Sequence, residues 1–272
     1  MKNNSLILLL FSALMGCFNA VQAAKIEAFV SILPQQYFVE RIGGDQVNVN
    51  VMVKPGQSPE TFAPSPKLMF LYSKAEVYFT VGMPFEQVWI ERVASLNETI
   101  AIVKTQPESK EKTDPHTWLS PVLVIAQANR IMTELSRLSP ENKELFHSNY
   151  NELEKELNVL HDEISTIFKT LEKHKFMTFH PAFFYFAKLY GLTQIAIEVE
   201  GKEPSAKQMA KLVDRYQNQS VSYLLIEKQF NQVIPGTIAK SFNAELLTVD
   251  PLAKDYLNNM TDIAEKINKA LF

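Results

Sequence analysis

Residues 175–191, KFMTFHPAFFYFAKLYG, contain the unit from which the rest of the chain can be interpreted. Residues 175–178 form a short β-type run, and residues 182–190 form a helix-type run that Gly191 stops. His180 lies in the turn between the two runs. A strand followed directly by a helix is the repeating unit of parallel α/β folds. The stretch therefore predicts one βα unit with a histidine at the carboxyl end of its strand.

The same alternation of strands and helices runs through the rest of the chain. Further strands are predicted at residues 25–30, 47–53, 75–80, 99–103, 193–199, 221–226 and 245–249. Further helices are predicted at residues 34–42, 65–72, 85–96, 121–138, 205–217, 232–242 and 256–271. The sequence thus predicts an α/β fold made of parallel βα units in two halves.

Residues 141–173 separate the two halves and contain neither glycine nor proline. Their apolar residues do not keep a strict heptad, so a coiled coil is not favoured. We expect one helix of ~50 Å at about 1.5 Å per residue, with Ser139 as its N-cap, that bridges two lobes. The predicted divisions are a signal peptide at 1–23, an N-terminal lobe at 24–139, the bridging helix at 140–174 and a C-terminal lobe at 175–272.

Residues 1–23 are typical of a secretory signal peptide. Lys2 precedes an apolar run that is far shorter than the ~20 residues of a membrane-spanning helix, and a Val-Gln-Ala pattern predicts cleavage after Ala23. The alternative is a lipoprotein box at residues 14–17, which would place a lipid on Cys17. We favour a periplasmic protein released by cleavage, with lipid anchoring through Cys17 as the second possibility.

Composition restricts how the exported chain is stabilised and what it binds. Cys17 is the only cysteine among 272 residues, so the mature protein is expected to depend on its core rather than on disulfides. An apolar content of 46% is sufficient for such a core. The formal net charge is −3 with both signs interspersed, which argues against nucleic acid as a partner.

Two histidines and two carboxylates follow candidate strand ends, two in each half. Glu60 closes the segment PGQSPE, His116 lies in DPHTWL, and His180 and Asp250 hold similar places in the second half. Any one of them alone is more often a turn, core or surface residue. Because these turns would face each other across a cleft between the lobes, the four side chains together match the donors of a divalent transition-metal site.

Six sequence blocks occur in the order found in a known family. They are PGQSP at 55–59, VGMPFEQVW at 81–89, DPHTWL at 114–119, HPAF at 180–183, EGKEPS at 200–205 and VDPL at 249–252. From about residue 25 to the end, the chain resembles the metal-capturing solute-binding proteins of bacterial zinc and manganese ABC transporters. The resemblance implies two α/β lobes joined by one long helix, a divalent metal ion as the solute and a membrane ABC permease as the partner. We also expect the protein to be a monomer.

The resemblance also implies which residues bind the metal. His116 and His180 correspond to imidazole ligands, and Asp250 corresponds to a carboxylate ligand from the second lobe. Glu60 stands where the family usually has a histidine. This departure allows direct ligation by Glu60, a three-residue site completed by water, or a changed metal preference. We favour direct ligation because glutamate is a competent ligand for the same metals.

The cues to the metal's identity point in different directions. Residues 105–113 lack the histidine-rich loop that family members dedicated to zinc often carry. A set of two nitrogens and two oxygens is harder than three imidazoles, which shifts weight toward Mn²⁺ or Fe²⁺. However, manganese-selective members usually have a carboxylate where this chain has His180. We therefore expect Zn²⁺ first, with Mn²⁺ or Fe²⁺ as alternatives.

Three acids of the second half, Glu198, Glu200 and Glu227, also lie near predicted strand ends. Such carboxylates can orient ligand histidines through the ring nitrogen that does not bind the metal. Helix-start or surface roles are more common for acids in these positions, and those are the roles we expect.

Two alternative functions belong to other classes. One is an exported metallohydrolase, and the other is an adhesin, a role that could coexist with metal capture. The same donor types form a catalytic site when a water position is open and an acid–base group stands beside the metal. The sequence has no His-Glu-x-x-His pair and no Gly-x-Ser-x-Gly elbow. We therefore expect a binding protein and not an enzyme.

Overall fold

The computed structural model describes residues 24–95, 97–107, 114–198 and 204–272. The predicted signal peptide and Glu200 lie outside these ranges. Within them, no helix combines the length and the apolar character needed to cross a membrane.

The first half forms a four-stranded parallel sheet in the order β2-β1-β3-β4. Its strands are β1 (Ile26–Val30), β2 (Val47–Val51), β3 (Val77–Thr80) and β4 (Ala101–Lys104). Every side chain of the central strand β3 is buried, as is usual in parallel sheets. The edge strand β2 has the sequence VNVNV, so polar side chains alternate with apolar ones. Each strand coincides with a predicted one to within two residues.

Helices follow these strands, and each begins with proline in its first turn. They are α1 (Leu33–Gly43), α2 (Pro66–Tyr72), α3 (Pro84–Ala94) and α4 (Pro121–Leu138). Proline suits this position because its missing N–H would have no partner there. Ser65 and Ser120 accept hydrogen bonds from the backbone N–H groups of Leu68 and Leu123, at 3.3 and 3.5 Å, and so cap α2 and α4.

One long helix, α5 (Lys143–Ile167), joins the two halves. It has 25 residues and is therefore about 37 Å long, which is shorter than the predicted helix over 141–173. Ser139 is the N-cap residue of the 3₁₀ turn that leads into α5, with Pro140 after it as predicted, whereas the N-cap of α5 itself is Asn142. The hydroxyl of Ser139 donates to Glu141 and accepts from the Asn142 amide, and a 3₁₀ turn (Pro140–Asn142) precedes α5.

Tertiary packing places the carboxyl end of α5. The ring of Phe168 is buried and lies 5.8 Å from the ring of Phe186 and 5.7 Å from that of Tyr190, measured between centroids. At Phe168 the backbone turns out of the helix, with φ −100° and ψ 9°. No glycine or proline marks this point, so the sequence pattern alone continued the helix too far.

The second half repeats the first arrangement with the parallel sheet order β6-β5-β7-β8. Its strands are β5 (Lys175–Thr178), β6 (Thr193–Ala196), β7 (Tyr223–Glu227) and β8 (Glu245–Val249). Its helices are α6 (Phe184–Leu189), α7 (Ala206–Tyr216), α8 (Val233–Lys240) and α9 (Tyr256–Lys269). The predicted fold class, two α/β lobes with a long joining helix, is confirmed.

The two lobes share a hydrophobic core. α5 packs against α1 and α4 of the first half and against α9 of the second half. The ring of Phe38 in α1 meets the ring of Tyr256 in α9 edge-on, at 4.8 Å between centroids. The hydroxyl of Tyr256 donates to the backbone carbonyl of Trp118 at 2.8 Å, and the Trp118 indole N–H donates to the carbonyl of Pro251 at 2.8 Å. Apolar packing and two buried hydrogen bonds therefore connect the lobes. The exact residues at which the lobes begin and end stay predictions.

The contact between the lobes can be tested by removing the hydrogen bond from Tyr256 to Trp118. Tyr256→Phe leaves a buried carbonyl without its donor, so we expect the free energy of unfolding to fall by roughly 1–3 kcal/mol in urea titrations. Tyr72→Phe is the matched control, since the hydroxyl of this buried tyrosine forms no hydrogen bond with a described residue. Equal losses in both variants would show that the Trp118 contact contributes nothing specific.

Candidate metal centre

Glu60, His116 and His180 come together where the two lobes meet. One donor atom from each residue lies within 4.8 Å of the others. His180 is the second residue after β5, and the other two residues lie in loops that follow β2 and β4. Parallel strands present their carboxyl ends at one edge of a sheet, and two such edges facing each other form the cleft that the sequence predicted.

Glu60 is held by the short turn that precedes α2. Gly56 adopts φ +80° in this turn, a conformation that favours glycine. Ser58 accepts a hydrogen bond from the backbone N–H of Glu60 at 3.3 Å and begins a 3₁₀ helix, Pro59–Thr61. The side chain of Glu60 is 30% exposed to solvent, so it lies at the mouth of the cleft rather than in its interior.

Asp114 fixes the position of His116. Its Oδ1 accepts from the backbone N–H of His116 at 2.8 Å and lies 2.5 Å from the ring Nδ1. The indole of Trp118 packs against the same ring at 5.1 Å between centroids. With Nδ1 committed to Asp114, Nε2 is the nitrogen that remains for a ligand. Sequence reasoning missed the role of Asp114, although its place two residues before His116 was visible.

Glu198 holds His180 in a similar way. Its Oε2 lies 2.7 Å from Nδ1 of His180, and both side chains are buried. Nε2 of His180 has no hydrogen-bond partner among the described residues, and it lies 3.8 Å from Oε1 of Glu60. The expectation of a surface or helix-start role is therefore wrong for Glu198. A carboxylate on Nδ1 leaves the lone pair of a neutral imidazole on Nε2, as metal-binding histidines require.

The acids around His180 set its protonation. Burial lowers the pKa of His180, but the hydrogen bond to Glu198 and the negative charges of Glu227, Glu198 and Glu60 outweigh burial and raise it overall. Burial raises the pKa of Glu227 to about 7, a shift that His180 and His116 oppose and that Glu198 and Glu60 reinforce. Three carboxylates beside two imidazoles make a site that favours a cation.

Asp250 lies outside the group formed by Glu60 and the two histidines. Its Oδ1 accepts from the side-chain amide of Gln229 at 2.6 Å and from the backbone N–H of Leu252 at 3.1 Å. Its Oδ2 lies 3.9 Å from Nζ of Lys228. Both hydrogen bonds are accepted by Oδ1, and direct ligation by Asp250 stays a prediction.

Glu227 and Gln229 are the further polar residues at the cleft. Glu227 ends β7, is 8% exposed and has an Oε1 without a hydrogen-bond partner among the described residues. Oε1 of Gln229 is also buried and has no hydrogen-bond partner among the described residues. The residues lining the cleft are Ser58, Pro59, Glu60, His116, Trp118, His180, Glu227, Gln229, Phe230, Pro251 and Leu252. The position of Glu227 at a strand end was visible in the sequence, whereas its burial was not.

Comparison with known families agrees with this geometry. Residues 29–270 match the model of the family described as the periplasmic component A of the zinc-uptake complex, ZnuA. The chain belongs to this family of periplasmic zinc-binding solute-binding proteins of ABC transporters. The predicted family is confirmed. The family supplies a solute-binding component of transport and not an enzyme, so the metallohydrolase alternative is set aside.

Individual relatives cover nearly the whole chain. A putative metal-binding protein of Chlamydia trachomatis is 28% identical over 268 residues, which cover 95% of this chain and 97% of the relative. A crystal structure of ZnuA superposes with a TM-score of 0.86 and 39% identity, over 90% of this chain and 99% of that one. A zinc-bound deletion mutant of ZnuA gives a TM-score of 0.85 and 38% identity, over 90% and 98%.

Proposed function

We propose that the protein captures Zn²⁺ outside the cytoplasm and delivers it to a membrane ABC permease for import. The observation that carries the proposal is the convergence of Glu60, His116 and His180 within 4.8 Å in the interlobe cleft. Both imidazoles are oriented by carboxylates, and the family transports zinc. Asp250, the fourth predicted ligand, lies beside the cleft and outside this donor group, and we keep it as a possible ligand in the proposal.

The spacing of the donors suits a small ion. Zinc binds nitrogen and oxygen at about 2.0–2.2 Å in tetrahedral geometry, so neighbouring donors around it stand roughly 3.3–3.5 Å apart. Nε2 of His180 and Oε1 of Glu60 are separated by 3.8 Å. A movement of a few tenths of an ångström is thus sufficient for these two donors to bind one ion.

The donor types favour zinc over the alternatives. Two imidazoles suit zinc, whereas manganese prefers oxygen-rich octahedral sites. Glu60 provides a harder donor than the histidine usual in the family, so discrimination against Mn²⁺ and Fe²⁺ is expected to be weaker than in three-histidine sites.

Release of the ion to the permease is expected to proceed by small tilts of the lobes. α5 packs on both lobes, and Trp118 is hydrogen-bonded to the second lobe through Pro251 and Tyr256. Wide hinge opening would break these contacts, while a slight rotation separates Glu60 and His116 from His180. We further propose that the mature protein begins after Ala23 and acts as a periplasmic monomer, with lipid attachment at Cys17 as the alternative.

The test is metal analysis of protein purified without added metal. We expect about one zinc per chain, with retention of zinc in competition with Mn²⁺. His116→Ala and His180→Ala should each lower zinc affinity at least ~10-fold in chelator competition, since the loss of a ligand costs no less than that of a supporting residue. His174→Ala is the control, because this exposed histidine precedes β5 at the opposite end of the strand. Unchanged affinity in both site variants would refute the site.

Protons compete with zinc for Nε2 of His180. Because the pKa of His180 is raised above its ordinary value, we expect competition to begin at a higher pH than for an isolated histidine. Zinc affinity should be constant above this raised pKa and should fall as the pH decreases through it. Chelator competition from about pH 8.5 to 5.5 measures this dependence. An affinity that does not change over the range would exclude histidine as a ligand.

Glu60 is the position at which this chain departs from its family. Glu60→His should retain zinc binding and increase the preference for zinc over manganese, because an imidazole nitrogen replaces a hard oxygen. Glu60→Ala should weaken the binding of both metals. Glu91→His, on the exposed face of α3, controls for the mere addition of a histidine. If Glu60→Ala binds both metals like the parent, Glu60 is only a helix-start acid and the site is completed by other residues.

A further inference from the structure

The three donors of the metal centre are supported in different ways. Both histidine rings form hydrogen bonds with carboxylates. No hydrogen bond between described residues reaches the carboxylate of Glu60, the third donor, although its backbone N–H donates to Ser58. The position of Glu60 therefore depends on how its loop, residues 52–65, is held by the rest of the first lobe.

Glu86, in the first turn of α3, is a buried acid that accepts three hydrogen bonds. It is 2% exposed, and its two oxygens accept from the backbone N–H groups of Val81 and Gly82 at 2.9 and 2.6 Å. Gly82 has φ +92° in this turn, a conformation that favours glycine. The third donor is the hydroxyl of Ser31. Glu86 thus joins the turn after β3 to the residue that follows β1.

Ser31 connects Glu86 to the beginning of the loop that carries Glu60. The carbonyl of Ser31 accepts from the backbone N–H of Val53 at 3.0 Å. This bond lies beyond the paired strands β1 and β2 and holds the first residues of the loop. Ser31 is fully buried, and its hydroxyl lies 2.7 Å from that of Tyr78. A fixed Ser31 therefore fixes the start of the loop.

Phe85 connects the same helix to the loop on the other side of Glu60. Its buried ring meets the ring of Phe62 edge-on, at 5.0 Å between centroids. α3 also contacts the turn Pro59–Thr61 directly. Because Phe85 precedes Glu86 in α3, the hydrogen bonds of Glu86 hold the ring in place. The loop is thus held before and after Glu60 by elements that meet at Glu86.

We propose that Glu86 is a positioning residue that holds the carboxylate of Glu60 at the metal centre. The inference rests on the proposed function, in which Glu60 is a zinc ligand. Glu86 is not among the residues that line the cleft, so it acts only through the loop. A ligand without a hydrogen bond of its own needs a fixed backbone to stand at ion-binding distance. The inference gives a role to the block VGMPFEQVW at 81–89.

Zinc affinities measured by chelator competition test this assignment. The amide of Glu86→Gln keeps the shape of the side chain, but its NH₂ group cannot accept from a backbone N–H. We expect a loss of about tenfold, the lower end of what supporting residues cost, and no more than Glu60→Ala costs. In a Glu60→Ala background the same change should cost little or nothing, because a residue that acts only through Glu60 has no effect once that carboxylate is removed.

Ile131→Val is the control for lost stability. It deletes one methylene group at a fully buried position of α4 and leaves the loop untouched. Its zinc affinity should equal that of the parent in both backgrounds.

Hydrogen exchange of the metal-free protein observes the loop without zinc. The backbone amides of residues 52–62 should exchange roughly tenfold faster in Glu86→Gln, while those of β7 and β8 in the second lobe should not change. Ile131→Val should exchange like the parent in both regions.

Equal affinity costs of Glu86→Gln in both backgrounds, or unchanged exchange of the loop, would overturn the inference while leaving zinc capture intact. A wild-type protein that takes up no zinc would instead refute the proposed function, and the exchange result would then decide whether Glu86 holds the loop. If Glu86→Gln does not fold, Ser31→Ala takes its place with the same expectations, since it removes only the hydroxyl that joins Ser31 to Glu86.

Discussion

The hydrogen bonds and packing around Trp118 are the constraint on which the cleft depends. The indole N–H reaches the carbonyl of Pro251, and the Trp118 carbonyl receives the hydroxyl of Tyr256, so one buried residue of the first lobe is attached twice to the second. His116 lies two residues away and packs against the same indole. The attachment of the lobes and the placement of a first-lobe imidazole beside His180 are therefore one structural feature. A protein built in this way can hold donors from both lobes at ion-binding distance without closing around the ion.

Carboxylates determine the chemistry of the cleft more than the histidines do. Asp114 and Glu198 each take up one ring nitrogen and direct the other toward the cavity. Glu60 stands at the mouth, and Glu227 lies in the interior, where burial raises its pKa to about 7. Such a concentration of acids is unfavourable for an empty buried site and becomes favourable once a dication is present.

The accuracy of the sequence-based predictions differed between local and long-range features. All eight strands and nine α-helices of the described ranges were predicted, because alternating and helical apolar patterns, proline at helix starts and glycine at helix ends are local signals. The carboxyl end of α5 was not predicted correctly, because Phe168 leaves the helix and packs on Phe186 and Tyr190. These two residues lie 18 and 22 residues further along the chain. The convergence of His116 with His180 was predicted from strand-end placement, yet that rule does not show that Asp250 is hydrogen-bonded to Gln229.

The sequence by itself determined the α/β class, the two βα halves, the long joining helix and the family, since each depends on short-range periodicity or on motifs read in order. Only the tertiary structure showed which acids form hydrogen bonds with the histidines. Glu198 turned out to be a buried partner of His180, and Asp250 to be hydrogen-bonded to Gln229. The physical reason is that burial and hydrogen-bond partners depend on residues distant in the chain. A carboxylate at a strand end looks the same in sequence whether it faces solvent, another side chain or an ion.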